Sequence, residues 1–118
     1  MNSPEALLPL HPKDFQILFA LVDEPCHGYG IVREIERASR GRVRIDPANL
    51  YRSIKRMIGT GLVEEADAPE PAGPEDERRR YYRITDFGMA VVRLEAKRLD
   101  DLAAAARSRR LIPDERRR

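Results

Sequence analysis

The chain has 118 residues, 42% hydrophobic and 36% charged, with a formal net charge of +2; this is the composition of one soluble globular domain with room for a protruding element, and it excludes a disordered chain. No apolar run approaches the roughly 20 residues of a bilayer span, the opening MNSPEALLPL has no basic n-region, and the single Cys26 excludes an internal disulfide. A cytoplasmic protein with no membrane partner is expected.

The first helix is predicted from about Pro12 to Asp23. Phe15, Leu18, Phe19 and Val22 repeat at i, i+3, i+4 and i+7, and Ile17 and Leu21 widen that face. EPCHGYG (Glu24 to Gly30) reads as a turn, with Pro25 stopping the helix and Gly28 and Gly30 loosening the backbone. A second helix from about Tyr29 to Ser39 turns Ile31, Ile35 and Ala38 inward, and Gly41 closes it. Arg42 to Ile45 (RVRI) alternates polar and apolar residues like a very short strand.

The stretch from Asp46 to Gly61, DPANLYRSIKRMIGTG, is the most informative. Asp46 can accept the free N–H groups of a first turn, and Pro47 suits the first helical position. Leu50, Ile54, Met57 and Ile58 form one apolar stripe. At about 100° per residue, Arg52 and Arg56 point away from it, flanked by Lys55, Ala48 and Asn49. Gly59 and Gly61 end the helix. A helix buried on one side with a cationic outer face suits phosphate and base edges.

LVEE (Leu62 to Glu65) and RRRYYRI (Arg78 to Ile84) read as antiparallel partners. The proline-rich, acidic ADAPEPAGPEDE between them is expected to be an exposed, mobile hairpin tip. The order helix, helix, short strand, helix, hairpin is that of a winged helix-turn-helix. Thr85 then caps a helix from about Asp86 to Arg110, roughly 37 Å long. Val91, Val92, Ala96, Leu99, Leu102, Ala103 and Ala106 share one face, with Glu95 the polar exception. That helix is longer than the head needs, and a second chain is its natural cover.

Charge is segregated along the chain. Residues 37 to 56 carry seven cations against Asp46, residues 64 to 77 carry seven acids and no cation, and residues 78 to 83 carry four arginines. Nineteen of the 22 basic residues are arginine, whose planar fork suits phosphate and guanine.

Three segments, FQILFALVDEPCHGYGIVREIE (Phe15 to Glu36), DPANLYRSIKRMIGTGLVEE (Asp46 to Glu65) and ERRRYYRITDFG (Glu77 to Gly88), resemble the PadR family of bacterial transcriptional regulators. The HGYG turn, the LYRSIKRM helix and the RRRYYRIT strand carry the resemblance by their order and spacing. It implies a winged helix-turn-helix that dimerises through its C-terminal helix. With the elements read above, a mainly α fold with a small β-hairpin is expected: a winged helix-turn-helix over residues 10–85, a long C-terminal dimerisation helix over residues 86–110, and a disordered basic tail over residues 111–118. The single helix after the wing matches the branch with a short C-terminus. Two departures stand out. Asn49 replaces a hydroxyl common in the family, and TDFG (Thr85 to Gly88) replaces Thr-Pro-x-Gly.

The expected activity is that of a dimeric repressor on a pseudo-palindromic operator in double-stranded DNA. Arg52 and Arg56 are the candidates for base edges, with Ala48, Asn49 and Lys55 beside them. The resemblance implies a phosphate contact from Tyr51; packing is its alternative, as it is for Tyr29. Arg78, Arg79 and Arg80 at the base of the wing are expected on phosphate or in the minor groove. Val92, Leu99, Leu102, Ala103 and Ala106 are expected at the dimer contact. No cofactor or metal is expected. Any small-molecule effector is unidentified, and the last helix offers Val, Leu and Ala with no tryptophan to stack on one.

Two other readings stay open: a winged-helix protein–protein adaptor, and a metal-responsive winged-helix sensor in which two chains share Cys26 and His27. An enzyme is not expected, since the chain has no Gly-rich phosphate loop or nucleophile motif and only His11 and His27 as histidines.

Overall fold

Four helices start at a side-chain cap, and those caps set the framework of the computed structural model, which describes residues 3–113. Helix α1 spans Pro12–Ala20, α2 Gly28–Ala38, α3 Pro47–Gly59 and α5 Asp86–Ser108; a short α4 spans Pro74–Arg78. The caps of α3 and α5 are the expected ones: Asp46 accepts from the Asn49 N–H at 3.0 Å and Thr85 from the Gly88 N–H at 2.9 Å. The other two are histidines. His11 Nδ1 accepts from the Lys13 N–H at 3.1 Å, and His27 Nδ1 from the Gly30 N–H at 3.0 Å. Histidine is not among the preferred capping residues, so neither is legible from composition.

The core joins Ile17, Leu18 and Leu21 of the first helical segment to Ile31 and Ile35 of α2. Leu50, Ile54 and Met57 of α3, Val91 and Val92 of α5, and Ile45, Leu62, Val63 and Tyr82 complete it. Several expected positions are shifted. Helix α1 ends at Ala20 rather than Asp23, and its buried stripe is Asp14, Ile17, Leu18 and then Leu21. This turns the helix by one position, leaving Phe19 half-exposed and stacked on Phe15 at 6.2 Å. Ala38 and Ile58, expected inward, lie on the surface.

Arg42 to Ile45 is not a strand. Arg40 and Gly41 take left-handed backbone (φ 54° and 78°), the Gly41 N–H returns to the Glu36 carbonyl at 2.7 Å, and Ser39 Oγ accepts from the Val43 N–H at 2.9 Å. The chain thus folds back on the end of α2 with no strand beside it. The third strand comes from the expected turn: β1, Cys26–His27, pairs antiparallel with β3, Tyr81–Ile84, which pairs on its other side with β2, Val63–Ala66. The sheet is therefore three-stranded, in the order β1-β3-β2, not a two-stranded hairpin.

The wing tip also differs from expectation. Helix α4 forms inside it because Pro74 occupies the first turn and Asp76 accepts from the Gly73 N–H and the Tyr81 hydroxyl, both at 3.1 Å. Arg78 closes α4, so the strand expected from Arg78 begins only at Tyr81.

Along α5, Val91, Val92 and Glu95 are buried, whereas Leu99 and Leu102 are 38% and 59% exposed. The helix therefore leaves the head near Arg98. No helix among the described residues is long and apolar enough to cross a membrane. Residues 114–118 of the expected disordered tail lie outside the described residues.

Glu95, expected as the polar exception, is 1% exposed. It accepts from the Leu10 N–H at 2.7 Å and from the Arg98 guanidinium, and so ties the N-terminal segment across α5. The Arg98 hydrogen bond, aided by the Leu10 N–H, holds its carboxyl below the usual carboxylate range against the opposing effect of burial. A depressed folded pKa adds stability above the unfolded pKa, and that stability is lost as pH falls through the folded value. Glu95→Gln removes this component. The difference in urea midpoint between about pH 7 and about pH 3 should narrow relative to wild type; an unchanged difference would discount Glu95 as an acid-sensitive tie.

Candidate nucleic-acid interface

The outer face of α3 presents Ala48, Tyr51, Arg52, Lys55 and Arg56 to solvent, with Asn49 half-buried. Asn49 donates to the Asp46 carboxylate and accepts from Arg52, so the cap also steers the Arg52 guanidinium along the first turns. Arg52 and Lys55 make no ion pair among the described residues. Arg56 does. Its guanidinium grips Asp14 of α1 with two bonds of 2.8 and 2.9 Å, and that hydrogen bonding raises the Arg56 pKa. Asp14 is 6% exposed, so Arg56 serves the α1–α3 contact as well as the outer face.

Beside Tyr51 lies a cleft of about 510 Å³ lined by His27, Gly28, Tyr29, Tyr51, Tyr82, Arg78, Arg79 and Arg80. It brings together the residues singled out in the HGYG turn, in α3 and in the wing. Gly28 makes this approach possible, since a Cβ there would sit 2.6 Å from the Tyr51 hydroxyl. Tyr29 is exposed, stacks parallel to His27 at 6.4 Å, and carries the Arg33 guanidinium 5.7 Å over its ring.

His27 is the residue sequence reasoning undervalued. Its Nδ1 accepts the capping N–H, so the neutral ring carries its proton on Nε2. That Nε2 faces Arg79 Nη1 at 3.2 Å, which sets two N–H donors against each other at the cleft wall. Burial lowers the His27 pKa and the Arg79 charge lowers it further, against an opposing pull from Asp76. With three arginines and the tyrosine hydroxyls, the cleft wall is rich in donors and suited to an anion. The same features disfavour a metal ion. The capping nitrogen is occupied, its opposite nitrogen faces a cation, and burial pushes the Cys26 thiol pKa up, away from the ligating thiolate.

A second cleft, of about 250 Å³, lies between α1 and α3. His11, Lys13 and Asp14 face Asn49, Arg52, Ser53 and Arg56 there. Lys13 and Asp14 were not expected at the interface. The signal for Asp14 was present, because it stands at i relative to Ile17, Leu18 and Leu21 at i+3, i+4 and i+7. Of the residues expected at a dimer contact, Leu99 and Leu102 are exposed and Ala103 and Ala106 half-buried. Val92 instead packs in the core of the head, 6% exposed, and the uncovered part of the apolar face starts after Glu95, with Ala96 and Leu99 exposed.

Known proteins share this architecture. A transcriptional regulator from Clostridium thermocellum superposes with a TM-score of 0.64 at 22% identity, over 80% of this chain and 86% of its own. A PadR family transcription regulator from Clostridium difficile does so at 0.67 and 21% identity, over 80% and 94%. Bacillus subtilis PadR, solved in complex with operator DNA, gives 0.59 at 19% identity, over 72% and 46%. At these identities the likeness is one of fold. No curated protein matches the chain. The sequence model of the transcriptional regulator PadR-like family matches residues 17–94, a span that runs from the core of α1 through the cationic α3 and the wing into α5. By that match the chain belongs to the PadR-like family of transcriptional regulators.

Proposed function

We propose that this regulator is a cytoplasmic, dimeric, sequence-specific repressor that sets α3 in the major groove of a pseudo-palindromic operator. The observation that carries the reading is the placement of Arg52 and Lys55, free of ion pairs among the described residues, beside the donor-rich cleft of His27, Tyr29, Tyr51 and Arg78 to Arg80. Arg52 and Lys55 read bases, and the cleft seats the flanking phosphate backbone. The operator complex of Bacillus subtilis PadR supports this use of the fold.

Two-fold symmetry puts the two α3 helices in successive major grooves, about 34 Å apart. The exposed Leu99 and Leu102, continued by Ala103 and Ala106, supply the face on which two copies join. The double variant Leu99→Asp/Leu102→Asp should run as a monomer in light scattering; an unchanged dimer would remove α5 from the interface.

The function itself is tested by fluorescence anisotropy on duplexes selected from random DNA, at about 50 and about 200 mM salt. Enrichment of a two-fold-symmetric site whose affinity falls steeply with salt supports the repressor. Weak binding without enrichment favours an adaptor that binds protein through the same face.

A further inference from the structure

Arg79 and Arg80 stand between two environments. Both line the donor-rich cleft facing α2 and α3, and both line a cleft of about 290 Å³ with Glu65, Ala66 and Tyr81; Arg80 and Glu65 also line a third cleft with Tyr51 and Lys55 of α3. Each has an acid close by: Arg79 Nη1, 3.2 Å from His27 Nε2 at the cleft wall, lies 3.7 Å from Asp76, and Arg80 lies 3.7 Å from Glu65. Arg83, farther along β3, pairs with Glu64 more tightly, at 2.7 Å. The acids of the wing are thus laid against its own arginines.

We propose that Glu65 and Asp76 are specificity-determining residues, acting as tethered counterions that withhold Arg80 and Arg79 from DNA that is not the operator. The inference rests on the DNA-binding reading above. Exposed pairs of this length contribute little to folding, so stability does not explain them. Their effect falls on binding.

Non-specific affinity comes from cations that displace mobile counterions from phosphate. An arginine already neutralised by a carboxylate fixed to the same wing gains little from a loosely seated duplex. Its contact would leave that carboxylate unpaired beside the phosphates. A fully seated operator brings phosphate into the cleft, where the His27 Nε2–H and the Tyr51 hydroxyl add donors, and there the exchange of carboxylate for phosphate is favourable. Removing the acid then gives the non-specific complex a whole phosphate contact. The operator complex gains only the small energy of the broken pair.

The test uses the full chain and anisotropy on a random-sequence duplex and on the selected operator across a salt series. Glu65→Gln should steepen the slope of log K against log salt on the random duplex by about 0.9, the value for one added phosphate contact. Random-duplex affinity should tighten about three- to tenfold at roughly 100 mM salt. The operator slope should stay nearly constant, so the specificity ratio falls. Asp76→Asn should do the same through Arg79, read alongside a thermal melt because Asp76 also holds Gly73 and Tyr81. Glu70→Gln removes an equal charge from a wing residue that pairs with no arginine among the described residues, and should change neither slope nor ratio. An unchanged random-duplex slope in Glu65→Gln, or an equal change in Glu70→Gln, overturns the inference and leaves the DNA-binding reading intact. Failure of the wild-type chain to bind either duplex overturns both.

Discussion

Arg52→Ala should weaken operator binding by about 5- to 150-fold, the loss of one bidentate base contact worth about 1–3 kcal/mol, with no change in melting temperature. The Arg52 guanidinium is exposed and, among the described residues, bonded only to Asn49 on its own helix, so its removal uncovers no buried partner. Arg56→Ala, on the same outer face, should behave differently. It strips both bonds from Asp14, which is 6% exposed and has no other side-chain partner among the described residues. Breaking a fully buried pair costs about 3–5 kcal/mol. More than half of the Arg56 side chain is in solvent (56%), which reduces the expected loss to about 1–2 kcal/mol. Arg56→Ala should therefore lower both stability and affinity, and Asp14→Asn should restore part of the stability to it without restoring the affinity. Differential scanning calorimetry beside anisotropy separates the two arginines. Equal melting temperatures for Arg52→Ala and Arg56→Ala would mean that the link to Asp14 carries no weight.

Gly88→Ala should be the most damaging single change to the fold. A Cβ at Gly88 would lie 2.3 Å from the Leu62 carbonyl oxygen and 2.7 Å from Ile84 Cγ1. That oxygen cannot withdraw freely, because it accepts from the Thr85 N–H at 3.1 Å where the wing turns into α5. Accommodation needs a shift of α5 against β2 and β3, an overpacking cost of about 3 kcal/mol. The melting temperature should drop by roughly 10 °C. Gly59→Ala supplies the contrast, since nothing among the described residues lies within 4 Å of its added methyl and the residue is helical. It should be neutral or stabilise by up to about 1 kcal/mol. Melting of Gly88→Ala within a degree or two of wild type would show that the α5 start is not tightly seated.

The helix starts at Asp46 and Thr85 and the inward residues Leu50, Ile54, Met57, Ile31, Ile35 and Val91 were legible in the sequence. Caps and periodicity are local, acting within a turn or two of chain. The outer face of α3 was legible for the same reason. Once the buried stripe is known, helical geometry dictates where Ala48, Arg52 and Lys55 point.

What the tertiary structure decided was how distant segments satisfy one another. Cys26 and His27 read as turn residues, yet they become β1 because β3 has a free edge that needs hydrogen-bond partners. Asp14 shares the spacing of Ile17, Leu18 and Leu21, but that spacing does not say which arginine, here one 42 positions away, will partner its buried carboxylate. Glu95 is buried for a similar reason, since the Leu10 N–H and Arg98 complete its bonds. His27 entered the candidate site only when the fold set its Nε2 beside Arg79. Propensity and periodicity determine elements and faces from short range. Which buried polar groups are partnered, and which cations remain free for a ligand, depends on pairings made across the whole chain.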